Sequence, residues 1–145
     1  MKTILFSFVC FMATPLFADL KMSDAWARAT PPGMPMGAIY GVLTNTGDEQ
    51  LEVAAISTPV ARSAEIHQSI EIDGLMRMRE ITPFFVPAGE TVVLQPGSKH
   101  IMLMGIQAAL KQGESFPLKL RLSNGDILDV EIMTGSFGQM SVPNR

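Results

Sequence analysis

The most regular hydrophobic pattern lies toward the C-terminal end of the chain. Phe116, Leu118, Leu120 and Leu122 alternate with Pro117, Lys119, Arg121 and Ser123, and after Asn124-Gly125 the residues Leu128, Val130 and Ile132 alternate with Asp129 and Glu131. A period of two puts successive side chains on opposite faces of a strand. Two such runs around Asn-Gly predict a β-hairpin with a type I′ turn, because Asn and Gly accept positive φ. Earlier runs carry the same signal. Ile39 to Thr44 ends at the turn cluster Asn45-Thr46-Gly47-Asp48, Leu51 to Ser57 is apolar and β-branched, and Thr91 to Leu94 lies between Ala88-Gly89-Glu90 and Gln95-Pro96-Gly97-Ser98. Ile106 to Lys111 reads as a short helical turn, but no segment sustains a 3.6-residue apolar period. About eight short, closely spaced strands predict an all-β, antiparallel sandwich or barrel.

The first eighteen residues stand apart. Lys2 is followed by the apolar run Ile4 to Phe17, and Leu16-Phe17-Ala18 places a small residue before Asp19. This is the layout of a cleavable secretory signal, and the run is short for a membrane-spanning helix. Phe8-Val9 ahead of Cys10 lack the small residue that lipid attachment uses, so Cys10 is not read as a lipid anchor. The expected organisation is a signal peptide over 1–18 and a single domain over 19–145, exported to the periplasm without stable membrane insertion. Cleavage would remove Cys10, the chain's only cysteine. The remaining domain would then have no disulfide, thiolate ligand or cysteine nucleophile.

Composition narrows the classes further. Apolar residues make up 47 % of the chain and charged residues 17 %, which excludes disorder. A net charge of −3 and no basic stripe argue against a nucleic-acid partner. The chain holds eleven methionines and two histidines, His67 and His100. Met22, Met133 and Met140 are read as core packing. Met34 and Met36, in the Pro/Gly-flanked stretch Pro32 to Gly37, are ambiguous between exposed loop donors and packing.

Spacing gives the other methionines their meaning. His100, Met102 and Met104 share one strand face, with Ile101 and Leu103 opposite, and Met76 and Met78 show the same spacing between Arg77 and Arg79. Thioether sulfur is soft and uncharged, and it suits Cu(I) far better than Mg²⁺ or Ca²⁺. Zn²⁺ prefers His, Cys and carboxylate. Two histidines with two methionines therefore favour Cu(I). On the residues alone, this reading competes with a secreted β-sandwich interaction module whose Met and His are packing.

The pattern His67-x10-Met78-x21-His100-x-Met102 resembles the signature of the periplasmic PCu(A)C copper chaperones. The resemblance extends to Asp24-Ala25-Trp26-Ala27-Arg28, to Tyr40 leading into Leu43-Thr44-Asn45-Thr46-Gly47, to Ala64-Glu65-Ile66-His67, to Met76-Arg77-Met78-Arg79 and to Pro96 through Met104, and so covers nearly all of 19–145. It implies a cupredoxin-like β-sandwich. It also implies one Cu(I) held by His67, Met78, His100 and Met102, and delivery toward the CuA site of cytochrome c oxidase. The implied recipient is a copper-receiving protein such as oxidase subunit II or a Sco-type thiol protein. Met76 and Met104 would pack beside the site. Gln68 stands where some relatives carry a methionine, and Gly138 to Arg145 holds one methionine and no histidine, which argues against a second, tail-borne Cu(II) site.

The other function classes fare worse. A blue-copper electron carrier needs a cysteine thiolate, which the domain lacks. No Gly-x-Ser-x-Gly or His-Glu-x-x-His motif is present, and the two histidines are already engaged, so an enzyme is not expected. Copper storage or resistance remains the alternative to delivery. The expected carrier is monomeric, with a shallow site open to a partner's ligands.

Overall fold

The computed structural model describes residues 19–142. The proposed leader over 1–18, with Cys10, and the last three residues lie outside the described residues. Ten strands follow one another: β1 (Leu20–Arg28), β2 (Met36–Asn45), β3 (Leu51–Ser57), β4 (Ser63–Ile72), β5 (Leu75–Glu80), β6 (Phe84–Val86), β7 (Thr91–Leu94), β8 (Lys99–Met104), β9 (Ser115–Leu122) and β10 (Ile127–Gly135). The hydrogen-bonded order is β5-β4-β8-β2-β1-β10-β9-β3-β6, with β7 on β2. An added β4–β3 pairing through Ile56 and Ala64 closes seven of the strands into a barrel, which leaves β5, β6 and β7 as extra strands. The all-β, cupredoxin-like architecture matches the expectation, with one difference. β1 and β10 run parallel, Trp26 beside Met133, so the barrel is not wholly antiparallel.

The period-two runs bury as their pattern requires. In β9, Phe116, Leu118, Leu120 and Leu122 are buried while Ser115, Pro117, Lys119 and Arg121 are exposed. Leu20, Ile39, Leu43, Ile66, Ile101, Leu103 and Ile132 complete the barrel interior. Each fully buried leucine or isoleucine contributes about 1.5–3 kcal/mol relative to exposure.

Two local expectations are corrected. Asn124-Gly125 does not form a type I′ turn, because only Gly125 has positive φ, at +96°. Leu122 accepts from Gly125 N–H and donates to Asp126, which makes a three-residue loop: a type I turn closed by glycine in the left-handed region. The Asn124 carboxamide oxygen accepts from Asp126 N–H at 2.9 Å, a local bond that holds Asn124 out of the left-handed conformation. Ile106 to Lys111 is not a helical turn either. Its backbone bonds run to another loop: Ile106 N–H to Pro35, Leu110 N–H to the Thr30 hydroxyl, and Thr30 N–H back to Leu110. The segment latches the 29–35 loop, which borders the site. Among the described residues no helix is long and apolar enough to cross a membrane.

Candidate metal centre

The strand pairing fixes which side chains meet. Ile66 faces Ile101 and Ala64 faces Leu103 across β4 and β8, and these pairs point into the core. Their neighbours must point the other way. His67 therefore faces His100, and Glu65 faces Met102, on the outer wall of the barrel. On β5, Met78 is paired with Ser69, which shares the His67 face of β4. On β2, Ala38 is paired with Met102 and Met36 with Met104. The His-x-Met spacing of β8 thus becomes two adjacent rungs of a ladder.

A tight hairpin supplies Met78. Asp73 and Gly74 both have positive φ, at 52° and 76°, between the paired Ile72 and Leu75, so this is the type I′ hairpin of the chain. An Asp-Gly pair between β-branched and apolar residues is the sequence signal for it. β5 is exposed along its whole length, and Arg77 and Arg79 lie in solvent as a solvated face would.

His100, Met102 and Met78 line one cavity of about 410 Å³. His67 stands beside it, with its ring 6.2 Å from that of His100, but it is not part of the cavity lining. Its Nε2 lies 3.0 Å from the Glu65 carboxylate, and its Nδ1 is buried without a hydrogen-bond partner. His100 is 3 % exposed and its Nδ1 contacts the Ser98 carbonyl at 3.1 Å. Burial lowers the His100 pKa below 6.5, the Ser98 bond opposes that shift, and the positive potential of His67 adds to it. His100 is thus kept as a neutral imidazole, the form that binds metal. Tyr40 packs against it at 6.4 Å between ring centres, and Trp26 packs on Tyr40 at 4.7 Å. Burial raises the Tyr40 pKa above 10, and the Arg28 guanidinium lying 5.6 Å from its ring centre partly offsets this.

Sequence reasoning missed part of this wall. Met34, Met36 and Met140 line the same cavity, with Arg28, Tyr40 and Phe137. Met34, in the loop, and Met36, the first residue of β2, are both exposed, which resolves their ambiguity against packing. Met140 is not core packing: it is exposed, and its sulfur accepts from Arg28 at 3.3 Å. Met133 is exposed too, and Met76 lies in solvent outside the cavity. Met22 does pack against the core. The Pro-Gly-Met-Pro-Met-Gly composition was the available signal for the loop, whereas nothing local marked the tail. Among the described residues, no three His, Cys, Asp or Glu side chains gather around a metal position.

Comparison with known proteins bears on the family and the fold. The sequence model of the LpqE-like family, described as "Putative lipoprotein LpqE-like", matches residues 20–134. A "Putative lipoprotein" of Leifsonia xyli subsp. xyli is 34% identical over 119 residues, covering 81% of this chain and 70% of its own length. An uncharacterized protein of Rickettsia prowazekii is 31% identical over 108 residues, covering 72% of this chain, which spans 60% of that protein's length. Among solved structures, the CuI form of DR1885 from Deinococcus radiodurans superposes with a TM-score of 0.65 at 29% identity, over 86% of this chain and 81% of the other. The apo PmoF2 PCuAC domain gives a TM-score of 0.72 at 17% identity, over 85% and 94%, a likeness of fold alone. With its family match along the barrel, the chain belongs to the LpqE-like family, and it shares the fold of the PCuAC domains.

Proposed function

We propose that this protein is a periplasmic copper chaperone that binds one Cu(I) through His67, Met78, His100 and Met102 and passes it to a copper-receiving protein. The observation that carries the reading is the pairing of His67 with His100 on the outer barrel wall, with Met102 on the adjoining rung and Met78 across the same cavity. Two neutral imidazoles and two thioethers form a soft, uncharged donor set, which suits Cu(I) and disfavours hard cations. The copper-bound state of the related DR1885 supports the same cargo here. Nothing in this donor set activates a nucleophile or moves a proton, so the role is carriage rather than catalysis.

Delivery is toward a copper enzyme, with the CuA site of cytochrome c oxidase as the destination and oxidase subunit II or a Sco-type protein as recipient. The leader-like 1–18 segment and the lipoprotein names of the relatives support an envelope location for a monomeric carrier. Anaerobic Cu(I) titration against a chromophoric chelator tests the site. One equivalent should bind tightly to the parent and markedly less tightly to His100→Ala and Met102→Ala. Equal loss of copper from all three proteins would reduce the His and Met residues to packing.

A further inference from the structure

The two histidines facing each other across β4 and β8 are held by different ring nitrogens. An ionised carboxylate only accepts hydrogen bonds, so the Glu65 contact at 3.0 Å places the proton of a neutral His67 on Nε2. The lone pair is then on Nδ1, which is buried and has no partner. At His100 the contact is reversed, with Nδ1 donating to the Ser98 carbonyl and the lone pair on Nε2. A buried nitrogen lone pair left unpaired in a folded protein needs a reason, and a metal ion is one.

We infer that Glu65 is a positioning residue of the copper site: by taking the Nε2 proton of His67 it leaves Nδ1 as the copper-binding atom, while the Ser98 carbonyl makes Nε2 the binding atom of His100. The inference rests on the copper reading above and deepens it. Glu65 precedes His67 by two residues on the same strand face, and its cross-strand neighbour is Met102. The carboxylate is therefore anchored on the rung next to the histidine pair. Glu80 lies opposite His67 on β5, but the hydrogen bond goes to Glu65. An outer carboxylate of this kind orients the ring, fixes its tautomer and makes the donor nitrogen more basic. It also places one negative charge beside an ion whose four direct donors are neutral.

Long-range ¹H–¹⁵N spectra of the imidazoles, with and without Cu(I), read these assignments directly, since Cu(I) is diamagnetic. In the copper-free parent, His67 should be protonated on Nε2 and His100 on Nδ1, and copper should shift His67 Nδ1 and His100 Nε2. Glu65→Ala should give His67 a mixture of tautomers and weaken Cu(I) binding by about 10- to 100-fold. Glu65→Gln keeps an acceptor oxygen and should retain the Nε2–H form with a smaller loss. The variants are compared at equal thermal stability, and a general loss of structure would move both histidines rather than His67 alone. Copper on His67 Nε2, or a Glu65→Ala protein with parental affinity and tautomer, overturns the inference. A parent that takes up no Cu(I) in the chelator titration overturns the proposed function as well. Parental binding with unaltered Glu65 variants overturns this inference alone.

Discussion

Acid should release copper from this protein in steps set by its imidazoles. On the proposed ligand set, binding requires both His67 and His100 to be neutral, whereas the thioethers of Met78 and Met102 have no proton to take up. An unperturbed imidazole titrates near ~6.5. At His100, burial pushes the pKa below 6.5, the Ser98 carbonyl bond works against this, and repulsion from His67 adds to it. Proton competition at His100 therefore begins below 6.5, and at neutral pH this residue imposes almost none. Beneath its pKa, a required imidazole raises the apparent Kd about tenfold per pH unit, which is ~1.4 kcal/mol. With both imidazoles protonated, the slope approaches about two decades per unit. It then levels where only the thioethers hold the ion. The assay is anaerobic competition with a chromophoric Cu(I) chelator between about pH 8 and pH 4, corrected for protonation of the chelator. His67→Ala isolates the second imidazole: its profile should be flat above ~6.5 and fall with a slope of about one decade per unit at lower pH. A flat parent profile throughout refutes histidine ligation. A His67→Ala profile that starts to fall above 6.5 refutes the argument from burial.

Copper-free stability should respond to the same group. A folded pKa below the unfolded value means that the unfolded chain takes up the proton first, so the His100 contribution is complete above ~6.5 and is lost as pH falls through the folded value; urea midpoints at about pH 7.5 and pH 5 should show the loss, and His100→Ala should reduce it. Asn45 is fully buried, donates to the Glu49 and Val86 carbonyls at 2.7 and 3.0 Å, and accepts from Gly47 N–H at 3.0 Å. Asn45→Ala should cost about 3 kcal/mol, read as a lower urea midpoint at unchanged slope, because it removes three bonds and strands a buried carbonyl. Gly74 has open space around it at φ +76°, so Gly74→Ala should cost only the backbone term of about 1–2 kcal/mol, with the β4–β5 hairpin losing amide-exchange protection first. Mild peroxide should oxidise the exposed Met78 before the half-buried Met102, and Cu(I) affinity should fall in step with the Met78 sulfoxide measured by mass spectrometry.

The outer wall and the core of this barrel were legible to different degrees. β9 follows its alternation residue by residue, because each of its buried positions is apolar and each exposed one is polar, serine or proline. β8 was readable for the same reason: Ile101 and Leu103 enter the core, and so His100 and Met102 must leave it. The partnership of β8 with β4 was not readable from periodicity, since alternation sets a face but not a neighbour. The fixed His-x10-Met-x21-His-x-Met spacing supplied that link through resemblance. The Asn124-Gly125 turn was misread because a side-chain bond to Asp126 competes with the left-handed conformation, a contact that a dipeptide rule does not contain. Met140 was misread because it reaches the cavity by the fold of the tail, where Arg28 binds the Gln139 carbonyl at 3.0 Å and the Met140 sulfur at 3.3 Å. The parallel β1–β10 contact is likewise a tertiary choice between strands far apart in sequence.

The division of labour between these strands suits a carrier. β4, β8 and β2 belong to the closed barrel, and their inward faces are locked by Ile66, Ile101, Leu103 and Ile39. Their outward faces are thereby held rigid, so the proposed ligands His67, His100 and Met102 would need little further ordering to bind copper. Met78 is different. It sits on β5, a strand outside the ring with only β4 as a neighbour, and it is 59% exposed. On the proposed ligand set, a partner's donor atom would reach the metal most easily by displacing Met78, the most exposed of the four. In a site of neutral donors that substitution separates no charge, so the ion can stay coordinated by the remaining ligands while the new bond forms. On the proposed ligand set, the rigid wall would set affinity, and the edge strand would set how readily the copper is given up.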